Sequence, residues 1–144
     1  QEMLYDIFRE TSRGQKQEIR QAISSVLDYM EQNYRSLITR EQLAEMAGVS
    51  PDYFSRAFKK QVGKSPMDYL NCIRIEKAKQ LLLHSGEPIR SVAQRVGFGD
   101  EYYFSRKFKA VTGLSPTSYK KAFEHSGESG SGNPDGRSEN RTFD

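Results

Sequence analysis

The chain has 144 residues, 35% of them apolar and 28% charged, which fits one compact domain or two very small ones. No apolar run approaches the roughly 20 residues that cross a bilayer, no secretory pattern opens the chain, and the one cysteine, Cys72, excludes an internal disulfide and suits a reducing interior. The net charge is +3, but residues 125–144 hold four acids and two bases, so the first 124 residues carry +5, a balance that permits nucleic-acid binding without demanding it.

The first residue is Gln, and the chain is expected to be a fragment of a longer polypeptide. Residues 1–14 are weakly patterned and read as a linker to a domain outside it. From Gln15 to Asn33, Ile19, Ile23, Val26, Leu27 and Met30 fall on one helical face. Thr39, with Gln42 three residues on, predicts a capping box that opens a short helix over Arg40–Ala47, closed by Gly48. Ser50 and Pro51 are a cap and a first helical residue, and the helix they open runs to about Gln61 and stops near Gly63. Pro66 begins the longest helix, to about His84, with Leu70, Ile73, Ala78, Leu81 and Leu82 as its apolar stripe.

Gly86 and Pro88 end that helix and open a second set. A short helix over Ile89–Val96 ends at Gly97. Asp100 caps a helix reaching about Val111, and Ser115 and Pro116 start a last helix that fades by Phe123. Residues 125–144 have little to bury and are expected to be disordered. The fold expected is all-α: seven helices in two helix-turn-helix modules, residues 15–84 and 85–124, joined by a long connecting helix over 66–84.

The two modules are a repeat. Tyr53, Phe54, Ser55, Arg56, Phe58 and Lys59 return as Tyr103, Phe104, Ser105, Arg106, Phe108 and Lys109. Ala44 and Gly48 match Ala93 and Gly97 at a spacing one residue shorter, so Gly99 is an insertion. In each copy a small alanine lets two helices approach, a glycine permits the sharp turn, and Val49 or Phe98 plugs the angle between them. The paired phenylalanines face inward while Ser55, Arg56, Lys59 and Lys60 face out. That is the physical pattern of a helix-turn-helix, whose second helix enters a major groove. The bland alternative is a glycine-linked helix pair that only packs, and two copies with the same caps, aromatic pairs and exposed arginine weigh against it.

The spacing also suits two reading heads. A 19-residue helix is roughly 28 Å long, against about 34 Å between successive major-groove faces. A metal site is not expected, since His84 and His125 are far apart and no Cys or His cluster has zinc-binding spacing. No nucleophile motif or phosphate loop offers an enzyme mechanism, and no cofactor is implied. A second reading is a helical interaction module that contacts RNA polymerase or a sensor domain through exposed Tyr53, Tyr102 and Tyr103.

The stretches LAEMAGVSPDYFSRAFKKQVGKSPMDYL and RIEKAKQLLLHSGEPIRSVAQRVGFGDEYYFSRKFKAVTGLSPTSYKK resemble the DNA-binding domain of the AraC/XylS-type bacterial transcription regulators. The resemblance covers residues 19–123. It implies two helix-turn-helix modules on one long helix, sequence-specific binding of promoter DNA in the bacterial cytoplasm at the nucleoid, and a regulator that usually activates. It also implies RNA polymerase as a partner, a sensor or receiver domain elsewhere in the full chain, and no membrane contact by this part.

Carried over position by position, the resemblance makes Asp52, Tyr53, Ser55 and Arg56 base-contacting residues of the first reading helix, and Glu101, Tyr102, Tyr103 and Arg106 those of the second. Arg56 and Arg106 suit bidentate contact with guanine. Asp52 is either a cytosine acceptor or a charge that suits a helix start, and Glu101 is either a cytosine acceptor or a sign of a looser grip. Ser50, Lys59, Lys60, Lys109 and Ser115 are expected at phosphates. Lys120 and Lys121 are weaker candidates beside a Tyr119 that packs on the core. Arg74 and Lys77 read equally as a solvated face or as phosphate contacts.

Overall fold

The computed structural model describes the backbone of residues 2–131 and the side chains of residues 14–124. Among the described residues there are seven helices: α1 (Glu2–Asn33), α2 (Arg40–Ala47), α3 (Pro51–Val62), α4 (Pro66–His84), α5 (Ile89–Arg95), α6 (Glu101–Thr112) and α7 (Pro116–Ser131). They form two compact units that divide inside α4, between Arg74 and Ile75. The all-α, two-module architecture expected from the sequence is the one observed.

In the first unit, Ile23, Val26 and Met30 of α1, Leu43 and Ala44 of α2, Phe54 and Phe58 of α3, and Leu70 and Ile73 of α4 make one buried cluster. Phe54 and Phe58 are completely buried, and Phe58 meets Phe54 and Tyr69 at centroid distances of 5.6 and 5.9 Å. The Thr39 capping box is complete: its Oγ1 accepts from the Gln42 amide at 3.1 Å, and the Thr39 amide donates to Gln42 Oε1 at 3.0 Å. Two backbone donors at the start of α2 are satisfied reciprocally. Thr39→Ala is therefore expected to lower the stability of this unit by about 1 kcal/mol in urea unfolding, and Thr39→Ser by much less.

The second unit repeats the pattern. Val92 and Ala93 of α5, Val96 and Phe98 of the turn, Phe104 and Phe108 of α6, and Ile75, Ala78 and Leu82 of α4 are all buried, and Phe98 meets Phe104 at 5.1 Å. Phe104 and Phe108 lie 5.7 Å apart, and Tyr119 meets Phe108 edge-on at 5.3 Å, as Tyr69 meets Phe58. The turns repeat bond for bond. Gly48 donates to Glu45 O and Val49 to Ala44 O (3.0 and 3.1 Å); Gly97 donates to Gln94 O and Phe98 to Ala93 O (3.1 and 2.9 Å). Gly48 and Gly97 both hold left-handed backbone, φ 74° and 103°, which a side chain would strain.

Three features differ from the sequence expectation. α1 begins at Glu2, so the stretch read as a linker is helical and Gly14 sits inside the helix. One interior glycine costs only about 1 kcal/mol against alanine, too little to break a helix of 32 residues. At the other end α7 continues to Ser131, past the expected stop near Phe123. The disorder expected over 125–144 lies, from residue 132 on, outside the described residues.

The third difference is on α4. Ile75 is buried as fully as Leu70, although it is off the single expected stripe. A helix whose first half serves one core and second half another cannot be amphipathic about one line. Arg74 is not on a solvated face. It is buried, its Nε donating to Tyr34 O at 2.7 Å and its Nη2 to Ser36 O at 2.8 Å. It thereby holds the loop between α1 and α2. On the outer side of α4, Lys79 pairs with Glu76 at 2.8 Å, and that hydrogen bond raises the lysine pKa.

Candidate nucleic-acid interface

Each unit presents one helix whose exposed side is fixed by its two buried phenylalanines. At about 100° per residue, Arg56 stands two residues from both Phe54 and Phe58, so it lies about 160° from each. It is the crest of α3. Tyr53 and Lys60 fall to one side of the crest, Asp52 and Lys59 to the other, and Ser55 lower on that second side. The same arithmetic puts Arg106 on the crest of α6, between Phe104 and Phe108.

Both helices are firmly begun and ended. Ser50 Oγ accepts from the Tyr53 amide at 3.2 Å, and Asp100 accepts from the Tyr102 and Tyr103 amides, both at 3.3 Å. Left-handed Gly63 and Gly113 close the two helices with amide bonds to Lys59 O and Lys109 O, each 2.8 Å. Asp100 is thus the N-cap that the sequence suggested.

On the Asp52 flank of α3 the structure adds a residue that the sequence reading missed. Arg40, the first residue of α2, reaches across so that its Nη1 lies 3.3 Å from Asp52 Oδ1 and 3.2 Å from Ser55 Oγ. Asp52, read from the sequence as a cytosine acceptor or a helix-start charge, thus has a cation beside it. The pair is exposed and adds little to stability, and Arg40, which also meets Glu41 at 3.6 Å, offsets part of the negative charge on this flank. The available signal was weak: an arginine opening one helix and an acid opening the next.

On α6 the crest arginine is packed instead of paired. The Arg106 guanidinium sits 5.3 Å from the Tyr102 ring centroid and 5.8 Å from that of Tyr103, and Lys107 is 5.6 Å from the latter. Tyr102 is 70% exposed, while Tyr103 leans on Phe98 at 5.9 Å. Arg90 of α5 lines a hollow with Gln94, Asp100, Glu101, Tyr102 and Ser105. Glu101 therefore lies toward α5, on the flank of the helix and not on its crest.

Of the residues expected at phosphates, Ser50, Lys59, Lys60 and Lys109 are exposed. Ser115 is half-buried, its Oγ accepting from the Ser118 amide at 3.1 Å and donating to Ser118 Oγ at 3.0 Å. Tyr119 packs on Phe108, as expected, beside a half-buried Lys120 and an exposed Lys121. Among the described residues no cluster of His, Cys, Asp or Glu could hold a metal ion, and no helix is long and apolar enough to cross a membrane.

A short helix, a glycine turn and a capped second helix with an arginine crest, built twice, define a paired helix-turn-helix protein. The chain belongs to the helix-turn-helix domain family, which matches residues 43–122. It is 40% identical over 121 residues to the HTH-type transcriptional activator Btr of Bacillus subtilis, covering 84% of this chain but 23% of that protein. Among solved structures it is similar to the C-terminal domain of AraT, a response regulator from Geobacillus stearothermophilus, at 39% identity and TM-score 0.63 over 73% of this chain and 84% of that one. It is also similar to the DNA-binding domain of AdpA, a global transcriptional factor solved with a target DNA, at 27% identity and TM-score 0.68 over 72% and 93% of the two chains. The chain spans between 23% and 38% of the length of the first few curated relatives it matches. It is homologous to bacterial transcription regulators, a class without catalytic activity.

Proposed function

We propose that the chain is the DNA-binding output domain of an AraC/XylS-type bacterial transcription regulator, most simply an activator, working in the cytoplasm at the nucleoid. α3 and α6 read adjacent major grooves of promoter duplex. Arg56 and Arg106 contact base edges, with Asp52, Tyr53 and Ser55 beside the first and Glu101, Tyr102 and Tyr103 beside the second. Ser50, Lys59, Lys60, Lys109 and the start of α7 at Ser115 lie against phosphates. The observation that carries the reading is the pair of arginine crests, each opposite two buried phenylalanines on a capped helix. A sensor or receiver domain in the full chain and RNA polymerase are the partners this implies. The response-regulator relative and the activator relative support the two respectively.

Selection of bound sites from random duplexes tests it. The expected product is an asymmetric site whose two conserved segments lie about one helical turn apart. Lys59→Ala should weaken binding to selected and unrelated duplexes alike and reduce the slope of log affinity against log salt by about 0.9. Recovery of no common sequence, with binding insensitive to salt, would favour a protein-interaction module in its place.

A further inference from the structure

The first unit holds a basic groove between α1 and α3, beside its helix-turn-helix. Along the Tyr53 flank of α3, the lower part of α1 comes alongside. Lys16 and Arg20 of α1 line a groove with Tyr53, Arg56, Lys60 and Gln61 of α3. Four of these six side chains are cationic, and among the described residues no carboxylate lines the groove. Gln61 Nε2 donates to Arg20 O at 3.4 Å, which ties the two helices at this level. Lys16 and Arg20 are four residues apart and so share one face of α1. Both are exposed, as are Arg56 and Lys60.

A helix lying in the major groove has a phosphate strand on each flank, because the groove is only about 12 Å wide. In the helix-turn-helix arrangement the first helix of the motif crosses one backbone. Here that is the α2 flank, with Arg40 and Lys59. The opposite flank carries Tyr53 and Lys60, and there α1 supplies the remaining cations. Four like charges gathered in one groove repel one another, and an anionic strand relieves that repulsion on binding.

We infer that Lys16 and Arg20 form a second, sequence-independent phosphate clamp, so that α1 grips the DNA strand along the Tyr53 flank of α3. The inference rests on α3 being a DNA-reading helix. It makes the middle turns of α1 part of the interface and not only a support for the helix-turn-helix. The occupant is a nucleic-acid backbone. An acidic protein segment is the competing occupant.

The test is a salt titration of fluorescence anisotropy with this chain, on a selected duplex and an unrelated one. Lys16→Gln/Arg20→Gln is compared with wild type, with Arg56→Ala and with Arg35→Gln, an exposed cation stacked at 5.5 Å on Tyr34. Two lost phosphate contacts should reduce the log–log slope by about 1.8 on both duplexes. The wild-type advantage should then shrink about twelvefold between 50 and 200 mM salt. The ranking of sequences and the circular-dichroism melt should stay the same, since both side chains are exposed and the Gln61 bond uses a backbone carbonyl. A slope change per charge no larger than that of Arg35→Gln would overturn the clamp. So would unchanged DNA binding coupled to lost binding of poly-glutamate, which would assign the groove to an acidic partner. If Arg56→Ala weakens the selected duplex while the double variant does not, the clamp fails and the reading helix stands. If neither variant weakens it, the reading helix fails as well.

Discussion

Arg56→Ala is expected to weaken binding to a selected duplex by about 1–3 kcal/mol and to relax the preference at one base pair, leaving the unrelated duplex much less affected. Arg106→Ala should do the same at a second base pair in the other segment of the site. The two residues belong to different units and share no side-chain partner among the described residues, so the double variant should lose about the sum, roughly 2–6 kcal/mol. Lysine should not restore either preference, because a point charge cannot make the planar, bidentate contact of a guanidinium. The measurement is anisotropy against a panel of single-base variants of the site. A panel that Arg56→Ala and Arg106→Ala bind like wild type would remove both proposed reading heads. The two need not behave alike in detail. Arg106 is stacked over Tyr102 and Tyr103, so Tyr102→Ala should loosen the arginine and cost part of the Arg106 effect.

Phe58→Ala should be the most damaging single change within the first unit, at about 3–5 kcal/mol. Its ring is completely buried, and it contacts both its own helix at Phe54 and the start of α4 at Tyr69. Removing it opens a cavity at the point where α3 is held in place, so DNA binding falls with stability. Hydrogen exchange read at α3 amides is the appropriate measurement, because a chain with two compact units need not unfold in one step. Unchanged protection of α3 in Phe58→Ala would mean that the reading helix is supported elsewhere. Phe108→Ala is the matching experiment for α6.

What could be read from the sequence was whatever is local or periodic. The caps at Thr39, Ser50 and Asp100, the glycine turns and the phenylalanine pairs each depend on neighbours within four residues, and all were found where expected. The crest positions of Arg56 and Arg106 follow from the same spacing. Arg40 and Arg74 were not legible in this way. Each finds partners twelve or more residues away, at Asp52 and Ser55 in one case and at Tyr34 and Ser36 in the other. A long flexible side chain can reach many such groups, and only the packing of the helices selects among them. For Arg74 one clue existed: it lies between Ile73 and Ile75, and a buried charge needs hydrogen-bond partners. Lys16 and Arg20 were overlooked for a related reason. They sit just below the apolar face of α1, and their nearness to Arg56 and Lys60 exists only once α1 has packed beside α3.

The hydrogen bonds of the two turns mark where this repeat can grow. In the first copy the turn's last amide bond is made by Val49 to Ala44 O, and the next helix opens with Phe54 bonding to Ser50 O. In the second, Phe98 bonds to Ala93 O and Phe104 to Asp100 O, and the extra Gly99 lies between those two closures. A residue can therefore be gained or lost at that seam without opening either set of bonds. Such a seam lets one copy of the repeat set the phase of its second helix relative to its first differently from the other. A glycine inserted between Val49 and Ser50 would re-create that step in the first copy. The two modules thus differ in backbone phase as well as in their exposed side chains.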